Sequence, residues 1–247
     1  MTDALGWRAK FAVLVPSTNT SVQPEFDRMR PPGVTNHISR IRIPNMALEN
    51  DDDFSRLVDH IAAGQLEAVD SAMTCEPDRI VLGISVETFW GGLALSRRLK
   101  ADLEKHTGLP VSMGAEASEQ ALKKLGARRI GVVTPYWPVG DKNVAQFFTD
   151  AGFEVAKLVG LKCVSPVAIA HVGEDALRDA IVAVDGPEID AIIQVGTNLA
   201  MARFAPEAER WLKKPVVAIN TAIYWHALRA SGIEDKIAGW GPLLEVY

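Results

Sequence analysis

The feature that most constrains this chain is that its second half repeats its first. "LPVSMGAEASEQALKKLGARR", beginning at Leu109, and "KPVVAINTAIYWHALRASGIED", beginning at Lys214, are built alike. Each has a proline-led apolar run, a small polar turn and a helical pattern ending in Gly126 or Gly232. Upstream, "VLVPSTNT" has its counterpart in "GVVTPYWP", and "VLGISVET" in "IIQVGTNL". A duplication on this scale predicts two similar lobes related by a pseudo-two-fold axis. The expected boundaries are 1–115 plus 220–247 for the first lobe and 116–219 for the second.

Within each half, strand-like and helix-like stretches alternate. The strand candidates are "KFAVLV", "HISRIRI", "RIVLGI", "LPVSMG", "RIGVVT", "FEVAKLV", "DAIIQV" and "KPVVAI". Their continuous apolar character suits parallel strands covered on both faces. Between them, stretches such as "DFSRLVDHIAAGQLEAVDSAM" repeat apolar residues every three or four positions, as amphipathic helices do. The expected fold is therefore α/β: two pseudo-symmetric Rossmann-like lobes, each with a parallel four-stranded sheet, and an active site in the cleft between them. Ligands of such sheets bind beyond the carboxyl ends of the strands. Two facing lobes would bring four loops together: Ser17 to Thr20, Ser85 to Thr88, Thr134 to Trp137 and Gly196 to Asn198.

Composition narrows the function classes. With 48% apolar residues, 23% charged residues and a net charge of -5, the chain reads as an ordinary globular protein, not a nucleic-acid binder. No apolar run is long enough to span a bilayer, and "MTDALGWRAK" lacks the apolar core of a signal peptide, so a cytoplasmic protein without membrane contact is expected. Two cysteines, Cys75 and Cys163, make neither a disulfide framework nor a zinc site. "PSTNT" lacks the spacing and lysine of a phosphate-binding loop, and no "GxGxxG" follows a strand. The four loops instead carry hydroxyls, an amide and glycines, groups that hold a small carboxylate without a metal.

Three stretches in this order and spacing, "VLVPSTNTSVQPE", "GVVTPYWPVGDKN" and "IIQVGTNLAM", resemble the maleate isomerase and arylmalonate decarboxylase branch of the aspartate/glutamate racemase superfamily. The resemblance covers nearly the whole chain. It implies a cofactor-free enzyme, a small carboxylate substrate held between the lobes, and a homo-oligomer. It also implies a cysteine after the third strand of each lobe, acting as acid, base or nucleophile. Carried over by position, Asn19 and Tyr136 would donate to a substrate carboxylate, Thr197 and Asn198 match the "TN" after the second cysteine, and Ser85 matches a hydroxyl residue of the first lobe. The first cysteine position falls on Ile84, or on Ser85 with a slip of one, and the second on Gly196. Cys75 lies at the far end of its strand. Cys163 sits in a loop within reach of the cleft, though both cysteines read as buried apolar residues.

Without those thiols, a two-base racemisation and a thiolate-driven isomerisation lose their main groups. Decarboxylation of a malonate-type acid loses least, since it needs an apolar wall beside the departing carboxylate and donors for the charge that develops. Ile84, Val86, Phe89, Trp90 and Trp137 are the expected wall. Asn19, Ser85, Tyr136 and Thr197 are the expected anion hole, with Ser17, Thr18, Gly196 and Asn198 around them. Glu87 is the nearest acid and, if desolvated, a proton donor beside Ser85 and Tyr136; a solvated or helix-capping glutamate is the plainer alternative. His171 either shuttles a proton from a loop closing over the second lobe or bonds neighbouring backbone. A cis-trans isomerase of maleate or a related acid, a hydration or hydrolysis driven by Glu87, and a carboxylate-binding protein without turnover stay open.

Overall fold

In the computed structural model, which describes residues 3–247, each of the eight apolar runs forms a strand. The first half runs β1 (Ala9–Pro16), α1 (Val22–Met29), β2 (Val34–Ile41), α2 (Asp51–Met73), β3 (Arg79–Leu82), α3 (Val86–Phe89), α4 (Gly92–Thr107), β4 (Val111–Ser112) and α5 (Gly114–Lys124). The second half runs β5 (Arg129–Thr134), α6 (Pro138–Asp150), β6 (Glu154–Gly160), α7 (Glu174–Val184), β7 (Ala191–Gln194), α8 (Phe204–Leu212), β8 (Val216–Ala218), α9 (Ile219–Arg229) and α10 (Pro242–Glu245). Two four-stranded sheets result, ordered β2-β1-β3-β4 and β6-β5-β7-β8, and every pairing is parallel. The same path is traced twice, as the repeat requires.

That path positions the site. From β1 the chain steps outward to β2, then returns across β1 to form β3, and β5, β6 and β7 do the same. The strand order therefore reverses between β1 and β3 and between β5 and β7, and such a reversal leaves a crevice beyond the carboxyl ends of the two strands. The central strands are largely apolar; Phe11 to Leu14 of β1 and all four residues of β3, Arg79 included, are buried. The edge strand β2 begins at Val34, three residues before the expected run, because it pairs with β1 from Ala9 onward. Half-buried polar residues such as Thr35 and Asn36 are tolerated there and hid the strand from an apolar pattern.

Local signals set the helix ends. Asn50 caps α2, its Oδ1 accepting from the Asp53 N–H at 2.9 Å, and the three aspartates that follow suit the positive end of the helix. Gly126 and Gly232, with φ of +74° and +71°, lie just beyond α5 and α9, where a left-handed residue ends a helix cheaply. These two equivalent helices pack against each other. No helix among the described residues is long and apolar enough to cross a membrane. One stretch departs from expectation: Val86–Phe89 winds into a helical turn, with the Thr88 N–H donating to the Ser85 carbonyl at 2.9 Å. That turn decides where Glu87 goes.

Candidate active site

The two reversals meet across the lobes, and a cavity open at its mouth lies between them, about 460 Å³ of space when the open solvent at the mouth is counted. All four expected loops reach it. Thr18 and Asn19 come from the loop after β1, Ile84 to Val86 from that after β3, Pro135 and Tyr136 from that after β5, and Gly196 to Asn198 from that after β7. The rest of the lining is apolar. Phe54, Leu57 and Ile61 of α2 form one wall, joined by Pro16, Ile43, Pro166 and Ile169.

At the polar end, the Ser85 Oγ and the Tyr136 hydroxyl are 2.5 Å apart, and the Thr197 N–H donates to the same Ser85 Oγ at 3.1 Å. Two hydroxyl protons share one Ser85–Tyr136 bond, so whichever oxygen donates, one O–H is left for a ligand. The Thr197 hydroxyl donates to the Gly83 carbonyl at 3.0 Å and accepts from Asn19 Nδ2 at 3.3 Å. Asn19, only 3% exposed, uses both ends of its amide. Its Oδ1 accepts from the Ser21 and Val22 N–H groups at 3.0 Å, capping α1, while its Nδ2 faces Thr197 and keeps a second proton. Cap and donor are one geometry. Asn198 is a strut: its Oδ1 accepts from the Thr20 N–H at 2.9 Å and its Nδ2 donates to the Pro166 carbonyl at 3.0 Å.

The lining contains no lysine, arginine or histidine. Burial pushes the Tyr136 phenol well above the ordinary range, so it stays a neutral donor. Its loop is held by Thr134, whose Oγ1 accepts from the Tyr136 N–H at 3.1 Å and donates to Asp141. Burial raises the Asp141 carboxyl to about 6. Neutral hydroxyls and amides pointed at one end of a largely apolar cavity bind anionic oxygens without burying a counter-charge.

Position 84 is an isoleucine, 2% exposed, facing the cavity. Position 196 is a glycine at φ +114°, and a Cβ there would lie 2.4 Å from Pro135 Cδ. Backbone and neighbour together exclude a side chain. Neither cysteine lines the cavity. Cys163 is buried beside the β5 loop, its N–H donating to the Pro135 carbonyl at 3.0 Å, and burial raises its thiol to about 11. Cys75 lies just past α2, its Sγ donating to the Ala72 carbonyl.

Several expected residues do not reach the lining. Glu87 follows Ser85 by two positions in a helical turn, about 200° around it at roughly 100° per residue. It is buried instead (9% exposed), its Oε2 has no partner, and burial raises its carboxyl to about 8. Trp90 packs behind the α2 wall, 6.4 Å from Phe54 between ring centroids. Phe89 packs on Phe147 and Phe148. Trp137 donates through Nε1 to the Cys163 carbonyl at 3.2 Å, so it braces the loop. Ser17 is exposed and exchanges bonds with Ile43, fixing that wall residue in place. His171 ends a 3₁₀ turn, Ala168–His171, with its side chain exposed; Ile169 of the same turn enters the cavity. Sequence reasoning missed the α2 wall altogether. Phe54, Leu57 and Ile61 carry helical spacing, but that spacing is also what any core-facing helix shows.

Known proteins share the sequence pattern and the fold of this chain. The family profile described as arylmalonate decarboxylase matches residues 12–244. The arylmalonate decarboxylase of Bordetella bronchiseptica is 29% identical over 67% of this chain and 70% of its own length. The maleate isomerase of Pseudomonas putida is 26% identical over 94% of this chain and 95% of its own. The maleate cis-trans isomerase of Nocardia farcinica, solved with a covalently bound succinylcysteine intermediate, superimposes with a TM-score of 0.87, covering 96% of this chain and 98% of its own at 21% identity. The chain belongs to the arylmalonate decarboxylase family.

Proposed function

We propose that this protein decarboxylates a malonate-type acid carrying one apolar substituent. One carboxylate sits at the polar end, among the spare Ser85–Tyr136 proton, the free Asn19 N–H and nearby amides. The substituent and the departing carboxylate lie against the apolar lining, where lost hydration favours the neutral product carbon dioxide. The carbon–carboxyl bond breaks, its electron pair passes into the retained carboxylate as an enolate, and the neutral donors hold that charge. Protonation of the carbon then gives a monocarboxylic acid. The spare hydroxyl proton of the Ser85–Tyr136 pair, renewed from water, is the donor the geometry favours.

The observation that carries this reading is the pairing of neutral donors with an apolar wall in a cavity that no cysteine lines. The rival is isomerisation of maleate, favoured by the near-complete alignment with the Pseudomonas putida enzyme. The Nocardia farcinica isomerase forms a succinylcysteine, and this cavity offers no thiol to do so.

The deciding experiment is proton NMR in D₂O with phenylmalonate, alkylmalonates and maleate. Loss of one carboxyl with one deuteron gained on the carbon sustains decarboxylation. Conversion of maleate to fumarate with the malonates untouched overturns it.

A further inference from the structure

A buried carboxylate outside the cavity is bonded, through Asn220 and Thr197, to its polar end. Glu25 sits on α1, 7% exposed, behind the segment from Gly196 to Ala202 that supplies three lining residues. Its Oε1 accepts from the Ala202 N–H at 3.0 Å, and its Oε2 accepts from Asn220 Nδ2 at 2.5 Å. Asn220, in the first turn of α9 and 1% exposed, gives its other amide proton to the Thr197 carbonyl at 2.9 Å. Thr197 in turn donates its N–H to Ser85 and receives Asn19. A continuous chain of bonds therefore runs from one buried carboxylate to the oxygen shared with Tyr136. Both ends of the segment are tied to α1, which Asn19 itself caps.

We infer that Glu25 is a positioning residue: as a carboxylate it clamps the 196–202 segment through Ala202 and Asn220, and so fixes the Thr197 N–H and the Ser85–Tyr136 pair against a bound anion. The inference rests on the proposed anion site. The clamp needs an acceptor at both carboxylate oxygens, since both partners are donors. Replacement by glutamine puts a donor against one of them, and protonation turns one oxygen into a hydroxyl, a weaker acceptor, so each loosens the chain.

Burial, opposed by the Asn220 and Ala202 bonds and by Arg28 on the same helix, raises the Glu25 carboxyl to about 7, so the clamp is titratable near neutrality. The groups facing it from α9 and from the 196–202 segment are Asn220 and the Ala202 N–H, both uncharged. On β2, which also packs on α1, His37 bonds Thr35 and Arg40 bonds the Asn19 carbonyl.

The test is the affinity for phenylacetate, anionic throughout, measured by calorimetry from pH 5.5 to 8.5 on wild type, Glu25→Gln and Asn220→Ala. The expected result is a wild-type affinity that weakens at least tenfold as pH falls through about 7. Glu25→Gln should be at least tenfold weaker at pH 8.5 and flat with pH, and Asn220→Ala should be weak while Glu25 still bonds Ala202. A Glu25→Gln variant that binds as wild type, with the same pH profile, overturns the inference. If Glu25→Gln does not fold, Asn220→Ala and the wild-type profile decide. If wild type binds no phenylacetate, the anion-site reading fails instead. Backbone amide NMR without ligand then judges the clamp: Thr197 and Ala202 amides that titrate together in wild type and not in the variant sustain it, and amides indifferent to pH overturn it.

Discussion

Gly196→Ala tests the reasoning about the missing thiol most sharply. At φ +114° any L side chain sits in a sparsely populated region, which costs about 1–3 kcal/mol. The new Cβ would also stand 2.4 Å from Pro135 Cδ and 2.6 Å from its Cγ. A ring locked in a short loop cannot swing aside like the end of a long side chain, and overpacking of this kind costs a further ~1–3 kcal/mol. The sum is about 2–6 kcal/mol, and a protein of this size loses roughly 2–4 °C of Tm per kcal/mol. Circular dichroism melts should therefore show a fall of at least about 4 °C. Adding Pro135→Ala should recover the steric share and leave the backbone share. Phenylacetate binding should fall in the single variant, because moving Pro135 moves Tyr136 off Ser85. A Gly196→Ala protein melting within about 1 °C of wild type would refute both halves of the estimate. It would also reopen position 196 to a cysteine, since Gly196→Cys meets the same two obstacles.

Three further outcomes are expected. Tyr136→Phe removes one of the neutral donors, and removing a donor to a developing oxyanion lowers kcat by about 10²–10³; steady-state decarboxylation kinetics that change only in KM would contradict the role. Ile84→Cys places a thiol on the cavity wall, so iodoacetamide that enters the cavity should label it and phenylacetate should protect it, as mass spectrometry of the modified peptide would show. Glu87→Gln should stabilise the protein increasingly as pH rises. The glutamate carboxyl is raised by burial from 4.5 to about 8, so its cost is absent below pH 4.5, grows between the two values at no more than ~1.4 kcal/mol per pH unit, and levels off above pH 8. Urea melts of the two proteins that differ equally at pH 5 and pH 8 would show that Glu87 is not buried as an acid.

The fold was legible because duplication and apolar runs are properties of neighbouring residues. All eight strands form on the predicted runs, β2 starting three residues early, and the reversal of strand order brings together the four loops that the repeat singled out. The polar end of the site was legible for the same reason, since each donor stands within a few residues of a strand end. What failed were inferences about direction. Glu87 lies two residues from a lining serine and points elsewhere because Val86–Phe89 is a helical turn and not an extended loop. Trp90 and Trp137 are large and apolar in the right stretches, yet they pack behind the lining. The clamp from Glu25 through Asn220 joins residues 195 positions apart. Neither stretch carries a signal that the other exists.

The repeat also bears on the reaction proposed for the cleft. Its two polar contributions are equivalent, Asn19 and Ser85 from one half and Tyr136 and Thr197 from the other. Its apolar wall is not. The helix after β2 lines the cavity with Phe54, Leu57 and Ile61, whereas α7, the helix after β6, supplies no lining residue, and only Pro166 and Ile169 of the segment before it reach in. A reaction run equally in both directions by two opposed bases calls for matched walls. In the decarboxylation proposed above, the substituent would lie against the one apolar side, and the two carboxylates of a malonate-type substrate would have different surroundings: one held by donors, the other placed where ionised oxygens are poorly solvated. On that proposal, the inequality would select which carboxyl departs and present one face of the resulting enolate to the Ser85–Tyr136 proton. The asymmetry that the proposed reaction would use lies at the place where the duplication is broken.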